Sequence, residues 1–254
     1  MSGHSKWATI KHRKGAVDKA RGKLFARLIR QVEVAAREGG ADMTSNSSLR
    51  SMFTKARDAS VPIDTIERAI KRGTGELEGV RYESVSYEGY GPLGVAFLVE
   101  CLTDNRNRTG AEVRAIFSRS GGSMAEPGAV AWQFERKGVV LLAKTDAQSS
   151  VGEDEVLAVA LEAGAEDLNG DGDTWELTCE SGQLPRLRTA LEQAGMVPES
   201  AESAMVATTT VGLANEADAR RVLRLIDALE DHDDVQNVYA NFDIPESVLE
   251  LVEA

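Results

Sequence analysis

The chain has 254 residues, 42% of them hydrophobic and 28% charged, and a formal net charge of −12, which is enough chain for two or three domains with their own cores. No run approaches the eighteen or so apolar residues of a membrane span, and the polar N-terminus lacks the apolar core of a secretory signal, so a cytoplasmic protein is expected. Its two cysteines, Cys101 and Cys179, form no CxxC motif and no disulfide framework; each sits in an apolar run and reads as a buried, reduced packing residue.

The acidity is unevenly distributed. Residues 1–75 hold 16 Lys or Arg against 7 Asp or Glu, a net of +9, which leaves −21 to the other 179 residues. A polyanion would be drawn to one end and repelled by the other. At the N-terminus, Lys6, Lys11, Arg13 and Lys14 surround Trp7 and His12. The cations suit phosphates, and the two rings can stack on or hydrogen-bond to a base or sugar. A helix is predicted from about Ala16 to Arg37, with Val17, Leu24, Leu28, Val32 and Ala35 on a buried face. Lys19, Lys23, Arg27, Arg30 and Arg37 fall on a solvent-facing stripe that matches a phosphate backbone, while Arg21 falls within the apolar face. A simply solvated charged face is the competing account.

Asn46, Ser47 and Ser48 offer caps for a second helix carrying Leu49, Met52, Phe53 and Ala56, and Pro62 opens a third with Ile63, Ile66, Ala69 and Ile70. Gly73 and Gly75 close this basic helical domain, residues 1–75. From Tyr82 the period becomes strand-like, with strands expected over Tyr82–Glu88, Val95–Leu102 and Ala129–Glu135. A helix after TDNRNRT carries Val113, Ile116 and Phe117 and stops at Gly121 and Gly122. Arg106 and Arg108, before this helix, are either a second anion contact or part of a structural loop held by Asp104 and Asn105.

Residues 138–212 read as strand (Val139–Ala143), helix (Glu153–Glu162), two short strands around NGDGD, helix (Leu184–Gln193) and strand (Ala204–Val211), a β-α-β-β-α-β order. A helix over Glu216–Leu229 and a strand over Val235–Asn241 then complete the layer begun at Tyr82. The predicted class is therefore α+β: an N-terminal helical domain plus two α+β, ferredoxin-like domains, one (138–212) inserted into the other (81–137 and 213–245).

Catalytic and metal chemistry find little support. Asp167, Asn169, Asp171 and Gly172 open like a calcium loop, but the twelfth position is Thr178 rather than a bidentate Glu, so a hairpin turn is the better account. His4 and His12 lack further soft ligands nearby, and His232, in the acidic run EDHDD, reads as a solvated helix end. There is no GxSxG, no Walker loop and no GxGxxG after a strand. No catalytic residue, cofactor, metal or small-molecule substrate is expected.

Four segments, GHSKWATIKHRK at the N-terminus, YEGYGPLGVAFLVE at 87–100, TDNRNRT at 103–109 and LEDHDDVQNVYANF at 229–242, resemble the signature segments of the YebC/PmpR family in the same order and across essentially the whole chain. One departure is His232, where the family segment tends to have Leu. The resemblance implies a three-domain fold without catalysis. It also implies a role as a transcriptional regulator or as a translation factor at the ribosome, including relief of stalling on proline-rich stretches; mitochondrial relatives activate translation of cytochrome oxidase subunits. The expected nucleic-acid contacts are Lys6, Trp7, Lys11, His12, Arg13, Lys14, Lys19, Lys23, Arg27, Arg30, Arg106 and Arg108. The expected partner is ribosomal RNA or DNA; the resemblance is the main reason RNA on the ribosome is favoured, and the stripe adds a lesser one, having no Asn or Gln between Lys19 and Arg30 to read base edges. An interaction module docking its basic end on an acidic protein is the alternative from another class.

Overall fold

The computed structural model describes residues 18–145, 152–170 and 173–253. Three helices, α1 (Asp18–Gly39), α2 (Ser47–Asp58) and α3 (Ile63–Gly73), form the N-terminal helical part. Its core is Leu28, Val32, Ala35 and Ala36 of α1 against Leu49, Ala56, Ile66 and Ala69. The packed seam of α1 runs through half-buried Phe25 and Ile29, which leaves Leu24 on its rim and 42% exposed, where the sequence predicted burial. Asn46 caps α2 by accepting the Leu49 N–H at 2.9 Å, and its amide donates to Ala35 O and Gly40 O at the end of α1, both at 2.8 Å. One buried side chain thereby satisfies orphan groups of two helix ends. Gly73 lets α3 meet α1: a Cβ there would lie 2.4 Å from Glu33 O.

The first sheet has the order β3-β1-β2-β9, from β1 (Glu83–Tyr90), β2 (Ala96–Thr103), β3 (Ser123–Met124) and β9 (Val235–Ala240), all antiparallel. Helices α4 (Arg106–Arg119) and α7 (Glu216–Glu230) cover one face through Phe97, Val99, Phe117, Val222, Leu225 and Val238. Phe97 and Phe117 meet edge to face, centroids 5.9 Å apart. A last helix, α8 (Glu246–Glu253), lies beyond the elements the sequence pattern predicts and packs on α7.

The second sheet is inserted between these elements, with order β5-β6-β4-β7 from β4 (Phe134–Ala143), β5 (Ala165–Asn169), β6 (Thr174–Glu180) and β7 (Ser200–Ala207). Together with α5 (Glu153–Ala163) and α6 (Leu184–Gln193) it has the ferredoxin-like β-α-β-β-α-β order. Val140, Leu142, Leu177 and Cys179 pack on Val156, Ala160, Leu187 and Leu191. β5 and β6 pair antiparallel, with Asp167 opposite Thr178, and Asp171 and Gly172 of the NGDGD segment between them lie outside the described residues. Short parallel strands β8 (Val211–Gly212) and β10 (Phe242–Asp243) tie the return of the chain to its last strand.

The expected strand over Ala129–Glu135 is a departure. A 3-10 turn occupies Ala131–Gln133, and β4 then runs unbroken from Phe134 through the predicted strand at Val139. Glu88 holds this turn: its carboxylate accepts the N–H groups of Gly128 (2.6 Å), Val130 (2.7 Å) and Ala131 (2.9 Å), which are then not available to a strand ladder. Trp132 is consequently 69% exposed, while Val130 and Phe134 join Ala96, Leu98, Ala207 and Tyr239 in an apolar cluster that joins the two sheets. No described helix is long and apolar enough to cross a membrane.

Candidate nucleic-acid interface

Lys6, Trp7, Lys11, His12, Arg13 and Lys14 lie outside the described residues, and so does the side chain of Lys19 in the first turn of α1. Lys23, Arg27 and Arg30 are described, and spacings of four and three align them on one face of α1. That face does not open onto free solvent as the sequence suggested. It lies against the acidic segment 230–234 at the end of α7.

Each cation has a partner there. Lys23 Nζ donates to Asp231 Oδ1 (2.7 Å) and Asp231 O (3.0 Å), Arg27 Nη2 donates to Glu230 O, and Arg30 Nη1 donates to Asp233 O (2.8 Å) and Asp234 Oδ1 (3.1 Å). The last carbonyls of a helix have no partner within it and carry the negative end of its dipole, so α1 supplies the cations that the C-terminus of α7 attracts. Burial pulls the Arg27 guanidinium below its ordinary value, against the opposing pull of Glu230, Asp231 and Asp233. The Arg30 guanidinium also lies over the Tyr82 ring, 5.3 Å from its centroid.

Asp234 is the hub beneath this contact. It is 5% exposed, and its second oxygen accepts from Arg108 Nη2 (3.0 Å) and Thr109 Oγ1 (2.7 Å). Burial alone would raise the Asp234 carboxyl; the Thr109 and Arg108 hydrogen bonds and the charges of Arg108 and Arg30 outweigh it and hold the group below its usual value. Arg108 is pinned further by Asp104 at 2.7 Å, and Asn105 caps α4 by accepting the Arg108 N–H at 3.1 Å. Arg108 thus ties the first turn of α4 to Asp104 and Asp234. Arg106 is exposed on the first turn of α4, and its guanidinium has no acidic partner among the described residues; its carbonyl accepts from the Tyr87 hydroxyl at 3.0 Å.

His232 is not the solvated loop residue that its acidic neighbours suggest. Its side chain is 11% exposed, Nε2 lies 2.8 Å from Glu112 Oε2 and Nδ1 accepts the Asp234 N–H at 3.1 Å. A cleft of about 520 Å³ opens here, lined by Arg30, Tyr82, Arg108, Glu112, His232 and Asp233 among others.

Sequence reasoning passed over a second set of cations. Arg50 and Arg57 on α2 and Arg68 and Lys71 on α3 are exposed; Arg50 bonds to the Met43 and Thr44 carbonyls with the charge of Asp42 nearby, and Arg68 bonds to the Asp64 carbonyl, while Arg57, Arg68 and Lys71 form no ion pair among the described residues. The available signal was the spacing of seven from Arg50 to Arg57, each adjacent to a buried position, Leu49 and Ala56. This arrangement can attract and hold an extended polyanion by charge and hydrogen bonding. Among the described residues no group of three His, Cys, Asp or Glu side chains is placed to hold a metal. Cys101 and Cys179 are buried, and burial pushes the Cys101 thiol up to about 12 and raises that of Cys179.

Comparison with known proteins places these features in a family context. The family model for the second and third domain of TACO1/YebC proteins matches residues 82–242, and the model for the N-terminal domain of the same proteins matches residues 5–76. A probable transcriptional regulatory protein of Salinispora arenicola is 54% identical over 250 residues, covering 98% of both chains. One of Streptomyces coelicolor is 52% identical over 255 residues, covering 100% of both. The crystal structure of a conserved hypothetical protein from Aquifex aeolicus superposes with a TM-score of 0.84 at 44% identity, over 95% of this chain and 98% of that one.

Proposed function

The chain belongs to the TACO1/YebC family of regulatory proteins, and from that premise we propose that it is a nucleic-acid-binding regulator of gene expression that grips phosphate backbones with its helical end and performs no catalysis. The observation that carries the reading is the charge division, +9 in residues 1–75 against −21 in the rest. Such a division orients the molecule on a polyanion, with the helical part inward and the two sheet domains outward. Backbone contacts dominate: the α1 stripe offers Lys and Arg without Asn or Gln, and Arg50, Arg57, Arg68 and Lys71 extend the cationic surface. Lys and Arg contacts to phosphate position a protein without reading sequence. In the basic N-terminal segment, Trp7 and His12 would stack on or bond to unpaired bases, which suits irregular RNA better than a closed duplex.

The target is therefore structured RNA on the ribosome, and the protein acts in the cytoplasm as a translation factor. A second reading, a DNA-binding transcriptional regulator, is favoured by the description of its relatives as probable transcriptional regulatory proteins. Cross-linking in living cells, with bound RNA and bound DNA mapped in parallel from one tagged protein, decides between them. Ribosomal RNA is the expected enriched species. Reproducible enrichment at a few promoters, with ribosomal RNA at background, would replace the translational reading with the transcriptional one.

A further inference from the structure

We propose that the acidic segment 230–234 is an internal stand-in for phosphate, which occupies the α1 stripe in the closed chain and must move away before a nucleic-acid backbone can bind there. The inference rests on the nucleic-acid reading above and adds the regulation of that site.

The chemistry of the seat supports it. Lys23, Arg27 and Arg30 donate to carboxylate and carbonyl oxygens of Glu230, Asp231, Asp233 and Asp234. These are the donors that phosphate oxygens would take, and they cannot serve both partners. The kind of interface supports it as well. Among the described residues, the apolar core of the helical part shares no residue with the cores of the sheet domains, whereas the two sheet domains share an apolar cluster. A second tie between the helical part and the inserted domain is polar too: Lys55 Nζ meets Glu202 Oε2 at 2.5 Å and Arg188 Nη1 meets Asp58 Oδ2 at 3.3 Å. The more exposed pairs, Lys23–Asp231, Lys55–Glu202 and Arg188–Asp58, are screened by salt and part at low cost, and buried Asp234 keeps Arg108 and Thr109 when Arg30 leaves, whereas the apolar junction holds. The connection between the moving parts, residues 78–81, is exposed and has no helix or strand, so it can act as the hinge.

Competition has a measurable size. A site open for a fraction f of the time binds with its intrinsic dissociation constant divided by f, so a stripe covered about nine-tenths of the time binds about tenfold more weakly. The test uses the full chain with Asp58→Cys and Arg188→Cys, bridged by a short bis-maleimide that holds the second tie closed. Neither residue belongs to the stripe, and the native Cys101 and Cys179 are buried. Binding of a short labelled RNA hairpin is followed by fluorescence anisotropy with and without the bridge. Bridging takes f towards zero and should weaken binding through the stripe by well over tenfold, and Asp231→Asn with Asp233→Asn, unbridged, should tighten it about three- to tenfold by removing charge beside the stripe. A donor and an acceptor dye on the same two cysteines should show falling energy transfer as salt or RNA is added. If the hairpin binds equally with and without the bridge, the latch is overturned and the nucleic-acid reading stands. If neither the unbridged chain nor the Asn variant binds the hairpin or duplex DNA, both fall.

Discussion

Replacing Asp234 with Ala tests the hub that ties α1, α4 and the end of α7 together. The carboxylate accepts from Arg30, Arg108 and Thr109 while 5% exposed. Removing one partner of a buried ion pair costs about 3–5 kcal/mol when the other charge is stranded. Here the other charges are not stranded, because Arg30 keeps Asp233 O, Arg108 keeps Asp104 and Thr109 keeps Thr103 and Asn105. The expected loss is therefore smaller, about 2–3 kcal/mol, in line with hydrogen bonds to a charged group. In thermal unfolding followed by circular dichroism this is a midpoint lower by about 4–12 °C for a chain of this size. The pH dependence gives an independent check. The native Asp234 carboxyl lies below its usual value, so its contribution is present above the unfolded value of about 3.9 and is lost as pH falls from there through the folded value. The gap between wild type and Asp234→Asn should accordingly be full at pH 7 and close in acid. A loss under about 0.5 kcal/mol at neutral pH, the range of an ordinary surface change, or a gap that stays constant into acid, would refute the assignment of Asp234 as a charged anchor.

Three further outcomes are expected. Gly73→Ala should lower stability by about 1–3 kcal/mol, as overpacking does, since the added carbon meets Glu33 O at 2.4 Å; an unchanged urea midpoint would contradict the close approach of α1 and α3. Changing Arg50, Arg57, Arg68 and Lys71 together to Glu should flatten the log–log salt dependence of RNA or DNA binding by about three to four, with helical dichroism retained; an unaltered slope in a folded variant removes those four from the interface. Cys101, its thiol pushed up to about 12 by burial, should resist a chromogenic disulfide reagent in the native chain and react once urea unfolds it, and rapid native modification would show that the site is open.

Local pattern determined the element types. The spacing of apolar residues marks α6 over Leu184–Gln193, the limits observed, and the switch to period two at Tyr82 anticipates β1 and β2. The β-α-β-β-α-β order, and a closing helix and strand without a neighbouring sheet, point to insertion on pattern alone. Such signals survive because one-sided burial repeats every 3.6 or two residues. What only the tertiary structure decided depends on partners distant in the chain. Glu88 reaches some forty residues forward to hold 128–131 in a turn, and the alternation of Val130, Trp132 and Phe134 is not a strand. The basic stripe of α1 is legible as a stripe, but its present neighbour is not, because Lys23 and Asp231 are 208 positions apart. Periodicity reports which face of a helix is polar. It cannot report whether water, a phosphate backbone or the chain's own carboxylates lie against that face, since charge acts through space and only the fold sets the distance.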